Sequence, residues 1–197
     1  CAKALLYAQD IRGRFPEEVR EEAKKLEDAV VSEADTKGRL DLRSLPIFTI
    51  DSASTKDIDD AISLTRTPEG GFELGVHIAD VSHYVRPGTE TDNEAFRRAT
   101  SVYYADQVVP MLPKALSNGI CSLNEGELRL AFSCLMRLDN NGELTDYRFV
   151  KSVIRSRVKG VYSEINALLA GSTDPELQAK YAEVSEQLPA MKELYGH

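Results

Sequence analysis

The sequence predicts an α+β fold in which a mixed, mostly antiparallel sheet is flanked by helices. Residues 72–79 and 128–138 show the strict alternation of apolar and other side chains that is typical of strands. Helical patterns lie before, between and after these strands, so the order is helix, strands, helix, strands, helices. This order favours a mixed or antiparallel sheet with flanking helices over a doubly wound parallel sheet.

The first helix is predicted directly after Pro16. Acidic residues at its start, lysines near its end and a narrow apolar stripe of Val19, Ala23 and Leu26 favour a helix over residues 17–26. Its acidic face is most simply a solvated surface.

Three strands are predicted in the next part of the chain. Residues 47–50 form a short strand before an acidic stretch, and residues 61–65 form the next strand. The turn at residues 68–71 joins that strand to residues 72–79, which predicts a hairpin. One face of the last strand is apolar, with Phe72, Leu74, Val76 and Ile78.

The second half begins with short helices, predicted at residues 91–98 and 114–118. The strand over 128–138 then places its apolar side chains, Cys134 among them, on one face toward a core. Residues 139–142 make a hairpin turn. The return strand carries a basic strip, which consists of Lys151, Arg155, Arg157 and Lys159.

The chain ends in helical patterns. Ile165, Leu168 and Leu169 have the spacing of a core-facing helix. A last amphipathic helix is predicted to start near Asp174 and to be interrupted at Pro189.

Composition limits the classes of function. The chain of 197 residues is 42% hydrophobic and 28% charged, which is typical of a globular protein, and its net charge of −8 argues against nucleic-acid binding by the whole surface. The absence of a long apolar run or secretory signal predicts a cytoplasmic protein without a membrane partner. Cys1, Cys121 and Cys134 lack metal-type spacing and are interpreted as buried thiols. A first residue other than methionine suggests a piece of a longer polypeptide.

The chemistry is concentrated in residues 49–61, which contain Asp51, Asp57, Asp59 and Asp60. Like charges held this closely repel, and hard Mg²⁺ or Mn²⁺ is the simplest way to offset them. An extended backbone would separate Asp60 from Asp57 and Asp59, so a bend is needed to bring all four together. One or two such ions facing a phosphate would support phosphodiester hydrolysis. The spacing excludes an EF-hand, and a solvated acidic loop stays open as the alternative.

Several segments together resemble a known family. They are Asp41–Pro46, Thr49–Ala61, Gly75–Val85, Thr100–Tyr103, Val109–Pro113 and Leu116–Asn124. Their sequences and order, over about residues 39–170, resemble the ribonuclease II/ribonuclease R (RNB) family of 3′→5′ exoribonucleases, and its ribonuclease R branch most closely. The resemblance implies that residues 39–197 form the N-terminal half of an RNB-type catalytic domain, preceded by a lead-in segment and helix at residues 1–38.

The resemblance also implies roles for single residues. Asp51, Asp57 and Asp60 become acids of a metal site that holds one or two Mg²⁺ ions, with Mn²⁺ as an alternative. Asp59 becomes the carboxylate most directly tied to cleavage. Tyr103 matches the family tyrosine that stacks on the 3′-terminal base, whereas the residues alone favour a tyrosine packed in a strand.

Other polar residues receive weaker interpretations. The basic strip is either a solvated strand face or a contact for the RNA backbone. His77 and His83 are interpreted as structural hydrogen-bonding histidines, because hydrolysis with metal-activated water needs no histidine.

The chain departs from the family pattern at two places. Ala99 stands where the family usually has glycine, and Lys159-Gly160-Val161 replaces the more usual Arg-Leu-Thr. The family's catalytic domain extends well beyond residue 197, and its members carry cold-shock and S1 RNA-binding domains, so both are expected in the parent protein.

The function implied by the resemblance is Mg²⁺-dependent hydrolysis of single-stranded RNA to nucleoside 5′-monophosphates, with weak or no activity in these 197 residues alone. The alternatives are a non-catalytic, metal-stabilised RNA-binding module and a different metal-dependent phosphohydrolase.

Overall fold

The computed structural model describes residues 13–104 and 107–196, so Cys1 and most of the predicted lead-in segment lie outside the described residues. The helices and strands are α1 (Glu17–Lys24), α2 (Glu33–Thr36), β1 (Leu40–Asp41), β2 (Ile47–Asp51), β3 (Asp60–Arg66), β4 (Phe72–Ala79), α3 (Val81–Tyr84), α4 (Glu90–Arg98), β5 (Val102–Tyr104), β6 (Gln107–Val109), β7 (Leu128–Leu138), β8 (Leu144–Val161), α5 (Tyr162–Leu169), α6 (Pro175–Lys180) and α7 (Gln187–Tyr195). Helical turns at Ala115–Ile120 and Ala182–Val184 complete the set. The predicted α+β fold is confirmed.

The chain divides into two compact units. The first contains Cys1–Val30 and Val81–Ile120, and the second contains Val31–Asp80 and Cys121–His197. The acidic stretch and the basic strip belong to the second unit, whereas Tyr103 belongs to the first.

Five strands of the second unit pair into a closed ring of strands, as in a small β-barrel. Antiparallel pairing joins β2 to β3, β3 to β4, β4 to β7 and β7 to β8, and parallel pairing joins β8 back to β2. This closure is possible because β8 is 18 residues long, so its first part pairs with β7 and its last part with β2. The short β1 pairs in parallel with the middle of β8.

The interior of the ring is small and polar. His77 is 0% exposed, and its two ring nitrogens lie 3.0 Å from Ser63 Oγ and 2.7 Å from Ser133 Oγ. Ser133 Oγ in turn lies 2.7 Å from Ser152 Oγ. A Cβ at Gly75 would lie 2.5 Å from Ser63 Oγ, so glycine leaves the room that the histidine ring occupies.

The apolar faces of β4 and β7 are not buried along their whole length, so the core face predicted for β7 is wrong in part. On β4 Ile78 of the apolar face is 43% exposed, while His77 on the other face is fully buried. On β7 Phe132 is 45% exposed and Cys134 only partly buried, while Ser133 is fully buried. The reason is closure: the inward face of a narrow ring takes small and polar side chains, which leaves part of the apolar face outside.

The C-terminal helices cover the outside of the ring beside β2 and β3. They form a core cluster of Phe48, Val158, Ile165, Tyr181, Val184 and Leu188. The Gln187 side chain accepts a hydrogen bond from the Leu64 N–H at 2.6 Å and donates one to the Pro46 carbonyl. Pro189 lies in the first turn of α7, where proline is tolerated, so the prediction that it interrupts one long helix is wrong.

In the first unit, α1 holds the start of α4. The Glu22 carboxylate accepts hydrogen bonds from the Thr91 N–H at 2.9 Å and the Thr91 hydroxyl at 2.6 Å. The residue that follows α4 is Ala99, which has φ 60° and is the one non-glycine residue with positive φ in the described ranges. The glycine usual in the family would adopt this backbone without strain.

Two further expectations concern the thiols and the membrane. Cys121 is buried, as predicted, and burial raises the pKa of its thiol to about 12. Among the helices of the described ranges, none combines the length and the apolar character that a membrane crossing requires.

Candidate active site

The acidic stretch forms a bent loop between two neighbouring strands. Asp51 is the last residue of β2 and Asp60 is the first residue of β3, and Asp57 and Asp59 lie in the irregular segment between them. Asp51 and Asp57 are half-buried, whereas Asp59 and Asp60 are exposed. The chain therefore bends between the two strands.

One buried apolar residue fixes the bend. Ile58 is 1% exposed; its N–H donates to Ser122 Oγ at 3.1 Å, and its carbonyl accepts from the Leu123 N–H at 2.9 Å. The Ser122 hydroxyl also donates to the Lys56 carbonyl at 2.8 Å. The Asp59 carbonyl accepts from the Ala79 N–H at 2.9 Å. Burial of Ile58 thus holds the backbone between two aspartates whose side chains stay at least partly accessible.

A lysine holds the other part of the loop. Lys159 Nζ donates to the Thr55 carbonyl at 2.6 Å and to the Ala53 carbonyl at 3.3 Å. The backbone of Lys159 is fixed too, because its N–H donates to the Glu125 carboxylate at 2.7 Å and it pairs with Thr49 of β2.

The four carboxylates of the loop influence one another. Asp59 is exposed as a residue, but partial desolvation of its carboxylate raises its pKa, and the negative charges of Asp57, Asp60 and Asp51 raise it further. Burial also raises the pKa of Asp51, as do Asp60 and Asp57, while the ammonium of Lys159 opposes this effect. The loop is therefore a concentration of negative charge that the protein only partly offsets.

The donor set suits a hard divalent cation that shares its coordination with a substrate. Carboxylate oxygens are the ligands that Mg²⁺ and Mn²⁺ prefer. Within the described residues, no three Asp, Glu, His or Cys side chains lie close enough together to hold one ion by themselves. Mg²⁺ commonly uses only one or two carboxylates and completes its shell with water and phosphate, so the loop fits this mode of binding and not an all-protein cage.

A comparison of the amino-acid sequence with known families identifies the family of this chain. The sequence profile of the RNB domain matches residues 39–196. The chain belongs to the RNB domain family. The resemblance drawn from the motifs is thus confirmed, and the match extends further toward the C-terminus than those motifs did.

Relatives of this RNB chain are proteins named ribonuclease R. Ribonuclease R 1 of Lactococcus lactis is 43% identical over 191 residues, which are 97% of this chain and 23% of that protein. Ribonuclease R of Thermotoga maritima is 50% identical over 169 residues, 86% of this chain and 23% of that protein. The chain thus spans about a quarter of the length of the curated relatives it matches.

A solved structure agrees with the fold. Mycoplasma genitalium RNase R in complex with ribose methylated single-stranded RNA is 30% identical, with a TM-score of 0.82. The match covers 96% of this chain and 30% of that one.

The basic strip of this RNB chain is mostly engaged within the second unit. Lys151 Nζ lies 3.3 Å from Asp80, and Arg157 contacts Glu183 at 3.4 Å and donates to the Arg43 carbonyl at 2.8 Å. Lys159 holds the acidic loop, as described above. Among residues 13–104 and 107–196, Arg155 is the one member of the strip whose side chain makes neither a hydrogen bond nor an ion pair, and it is exposed.

Tyr103 lies in β5 of the first unit, opposite Val108 of β6. Its side chain is 67% exposed, unlike that of a tyrosine packed into a core.

The two histidines of the motifs have different surroundings. Burial lowers the pKa of His77 to about 4, and its serine contacts are those of the structural histidine that the sequence predicted. The His83 ring packs edge-to-face on Tyr84, with 4.8 Å between the ring centroids.

Sequence reasoning missed two residues that support the loop. Ser122 bonds to the loop backbone on both sides of Asp57, and Glu125 accepts from the backbone of Lys159. Ser122 lies in a motif shared with the family, but nothing in its local sequence indicates a partner 64 residues away.

Proposed function

We propose that this chain is part of the catalytic domain of a Mg²⁺-dependent 3′→5′ exoribonuclease, which hydrolyses single-stranded RNA to nucleoside 5′-monophosphates. The observation that carries the proposal is the acidic loop: four mutually repelling carboxylates on a backbone fixed from two sides, in a chain of the RNB family. Such repulsion lowers the stability of a folded protein, and it is typical of sites where function requires the charge.

The carboxylates have separate roles in this proposal. Asp51, Asp57 and Asp60 would provide carboxylate ligands for one or two Mg²⁺ ions, and water and phosphate oxygens of the RNA would complete the coordination; Mn²⁺ could replace Mg²⁺. When bound, the metal activates water and stabilises the charge that develops on the phosphate. Asp59 is exposed and has a raised pKa, which suits a carboxylate that faces the reacting phosphate and handles a proton there.

RNA contacts outside the acidic loop are proposed for Tyr103, Arg155 and Lys151. An exposed aromatic face stacks on any base, and this suits an enzyme that must accept every 3′-terminal nucleotide. The Arg155 side chain is exposed and makes no hydrogen bond or ion pair in the described part of the chain, so it can bind an RNA phosphate without breaking an internal contact. The ribonuclease R structure from Mycoplasma genitalium, solved with single-stranded RNA, supports RNA as the substrate class.

The test is Asp59→Asn in the natural polypeptide that carries this chain. With a 5′-labelled single-stranded oligoribonucleotide and Mg²⁺, we expect turnover to fall by at least about 100-fold, the scale of a positioned proton-transfer group. RNA binding should be retained. Asp28→Asn removes an exposed aspartate elsewhere and is the matched control, with unchanged turnover expected.

Three results would contradict the proposal. If turnover survives in Asp59→Asn, the role of Asp59 is wrong. If the unsubstituted polypeptide binds RNA but does not hydrolyse it, the protein is a non-catalytic RNA-binding module. If DNA or phosphomonoesters are preferred, it is a different phosphohydrolase. Because the chain spans about a quarter of its relatives' length, we expect the 197 residues alone to be weakly active or inactive.

A further inference from the structure

We propose that Lys159 is a positioning residue, which holds the acidic loop in its working conformation from inside the second unit and does not contact RNA. This inference rests on the proposed function, because the loop it positions is the proposed catalytic loop.

The first support is where the ammonium group points. Its nitrogen lies 2.6 Å from the Thr55 carbonyl oxygen and 3.3 Å from that of Ala53, both in the segment that joins Asp51 to Asp57. A lysine ammonium has three N–H donors, and hydrogen bonds from a charged donor are among the stronger ones in proteins. Two of the three donors are therefore used within the loop.

The second support is that the lysine itself is held in place. Its backbone N–H donates to the Glu125 carboxylate at 2.7 Å, and its strand pairs with β2, with Lys159 opposite Thr49 and Val161 opposite Asp51. The side chain thus starts from a fixed point beside the end of β2. It bridges the sheet to the loop that leaves the same strand.

The third support is that two different residues hold the two parts of the loop. Ser122 bonds to Lys56 and Ile58 in the second part of the loop, and Lys159 bonds to Ala53 and Thr55 in the first part. All four of these hydrogen bonds are made to backbone groups of the loop. Loss of Lys159 would release the first part, and with it the relative position of Asp51 and Asp57.

Arg155 is the matched comparison on the same strand. It lies four residues earlier and is exposed, and its side chain has no hydrogen-bond or ion-pair partner among the residues that the structure describes. Removal of either side chain deletes one positive charge from β8. Only one of them takes away a support of the loop.

The experiment compares Lys159→Met, Lys159→Arg and Arg155→Ala in the natural polypeptide that carries this chain. Hydrogen–deuterium exchange reports the loop, steady-state kinetics report kcat and KM, and RNA affinity is measured at several salt concentrations in the Asp59→Asn background. Circular dichroism tests whether each variant is folded. If Lys159→Met does not fold, the comparison uses Lys159→Arg, which retains the positive charge and the N–H donors.

For Lys159→Met we expect about tenfold faster amide exchange in residues 52–57 and about a tenfold lower kcat. RNA affinity and its salt dependence should not change. Lys159→Arg should restore both the exchange rate and kcat. Arg155→Ala should leave the exchange rate unchanged and lower the salt slope by about 0.7, the value for one phosphate contact to single-stranded RNA.

The inference is overturned if Lys159→Met weakens RNA binding and lowers the salt slope as a phosphate contact would. It is also overturned if exchange in residues 52–57 stays as in the unsubstituted protein. The exchange measurement needs no catalysis, so it still decides the role of Lys159 if the polypeptide proves not to hydrolyse RNA. Failure of the proposed function is therefore distinct from failure of this inference.

Discussion

Neutral His77 at the centre of the strand ring should make the fold sensitive to mild acid. The ring of His77 is fully buried between two serines, and burial lowers its pKa from 6.5 to about 4. Between these two pKa values the unfolded chain binds a proton that the folded chain does not. The contribution of neutral His77 to the free energy of unfolding is therefore complete above about pH 6.5 and is lost as the pH falls toward 4.

The size of this effect follows from the two pKa values. At about 1.4 kcal/mol per pH unit, the full loss below pH 4 is about 3 kcal/mol. Between pH 7 and pH 5 the loss is about 2 kcal/mol. For a chain of this size, that corresponds to a fall in the melting temperature of about 4–8 °C. Asp51 and Asp59 act in the opposite direction, because their raised pKa values favour the folded state as acid is added.

The assay is urea unfolding of the unsubstituted chain and of His77→Gln at pH 7, 6 and 5. Glutamine can keep hydrogen bonds to the serines but cannot titrate, so the acid loss should be about 2 kcal/mol smaller in the variant. Comparison of the two pH dependences removes the contribution of the aspartates, which the proteins share. The chain has only three histidines, so NMR titration of the imidazole signals gives a second measurement. An equal acid loss in both proteins, or a His77 signal that titrates near pH 6.5, would refute the reasoning.

Three further predictions follow from the backbone and the loop. Ala99→Gly should raise the free energy of unfolding by about 0.5–1 kcal/mol, because glycine adopts the positive φ of this position without strain; an unchanged or lower urea midpoint contradicts this. Gly160→Ala should lower it by about 1–3 kcal/mol, because the added Cβ would meet the Thr49 carbonyl oxygen of the paired strand; an unchanged midpoint would mean that the strands separate freely. Asp59→Asn should raise it by about 0.5 kcal/mol without Mg²⁺, a small gain because the group is exposed and screened by solvent. Mg²⁺ should then stabilise the unsubstituted chain more than the variant, and equal stabilisation in calorimetric melts would show that Asp59 does not sense the ion.

The strands were predictable because their signal is local. Alternation over residues 72–79 and 128–138 located β4 and β7, and turn residues located the hairpins. The closure of the ring was not predictable, because it depends on the parallel pairing of β8 with β2 about 100 residues away. Closure then decides which face is buried, so the alternation that correctly identified β7 placed Phe132 on a core face, although its side chain is 45% exposed.

The candidate site, like the fold, could be predicted only in part from the sequence. The four aspartates and the need for a bend followed from like charges crowded into a short segment. The means of making the bend did not, because Ser122 and Lys159 reach the loop from positions far along the chain. Lys159 is the clearest case: its parity on the strand suggested an outward cation, whereas its length lets the ammonium turn to two carbonyl groups of the loop.

The choice of carbonyls over carboxylates has a chemical consequence. A lysine paired directly with an aspartate would neutralise it and compete with any metal for its oxygens. A lysine bound to backbone carbonyls instead fixes the loop and moderates its negative potential through space. The same logic explains why a buried isoleucine, and not a second cation, fixes the bend between Asp57 and Asp59. The backbone of the loop is thus held from two sides, and a fixed backbone is what the proposed metal site, which would share its ligands with a substrate phosphate, requires.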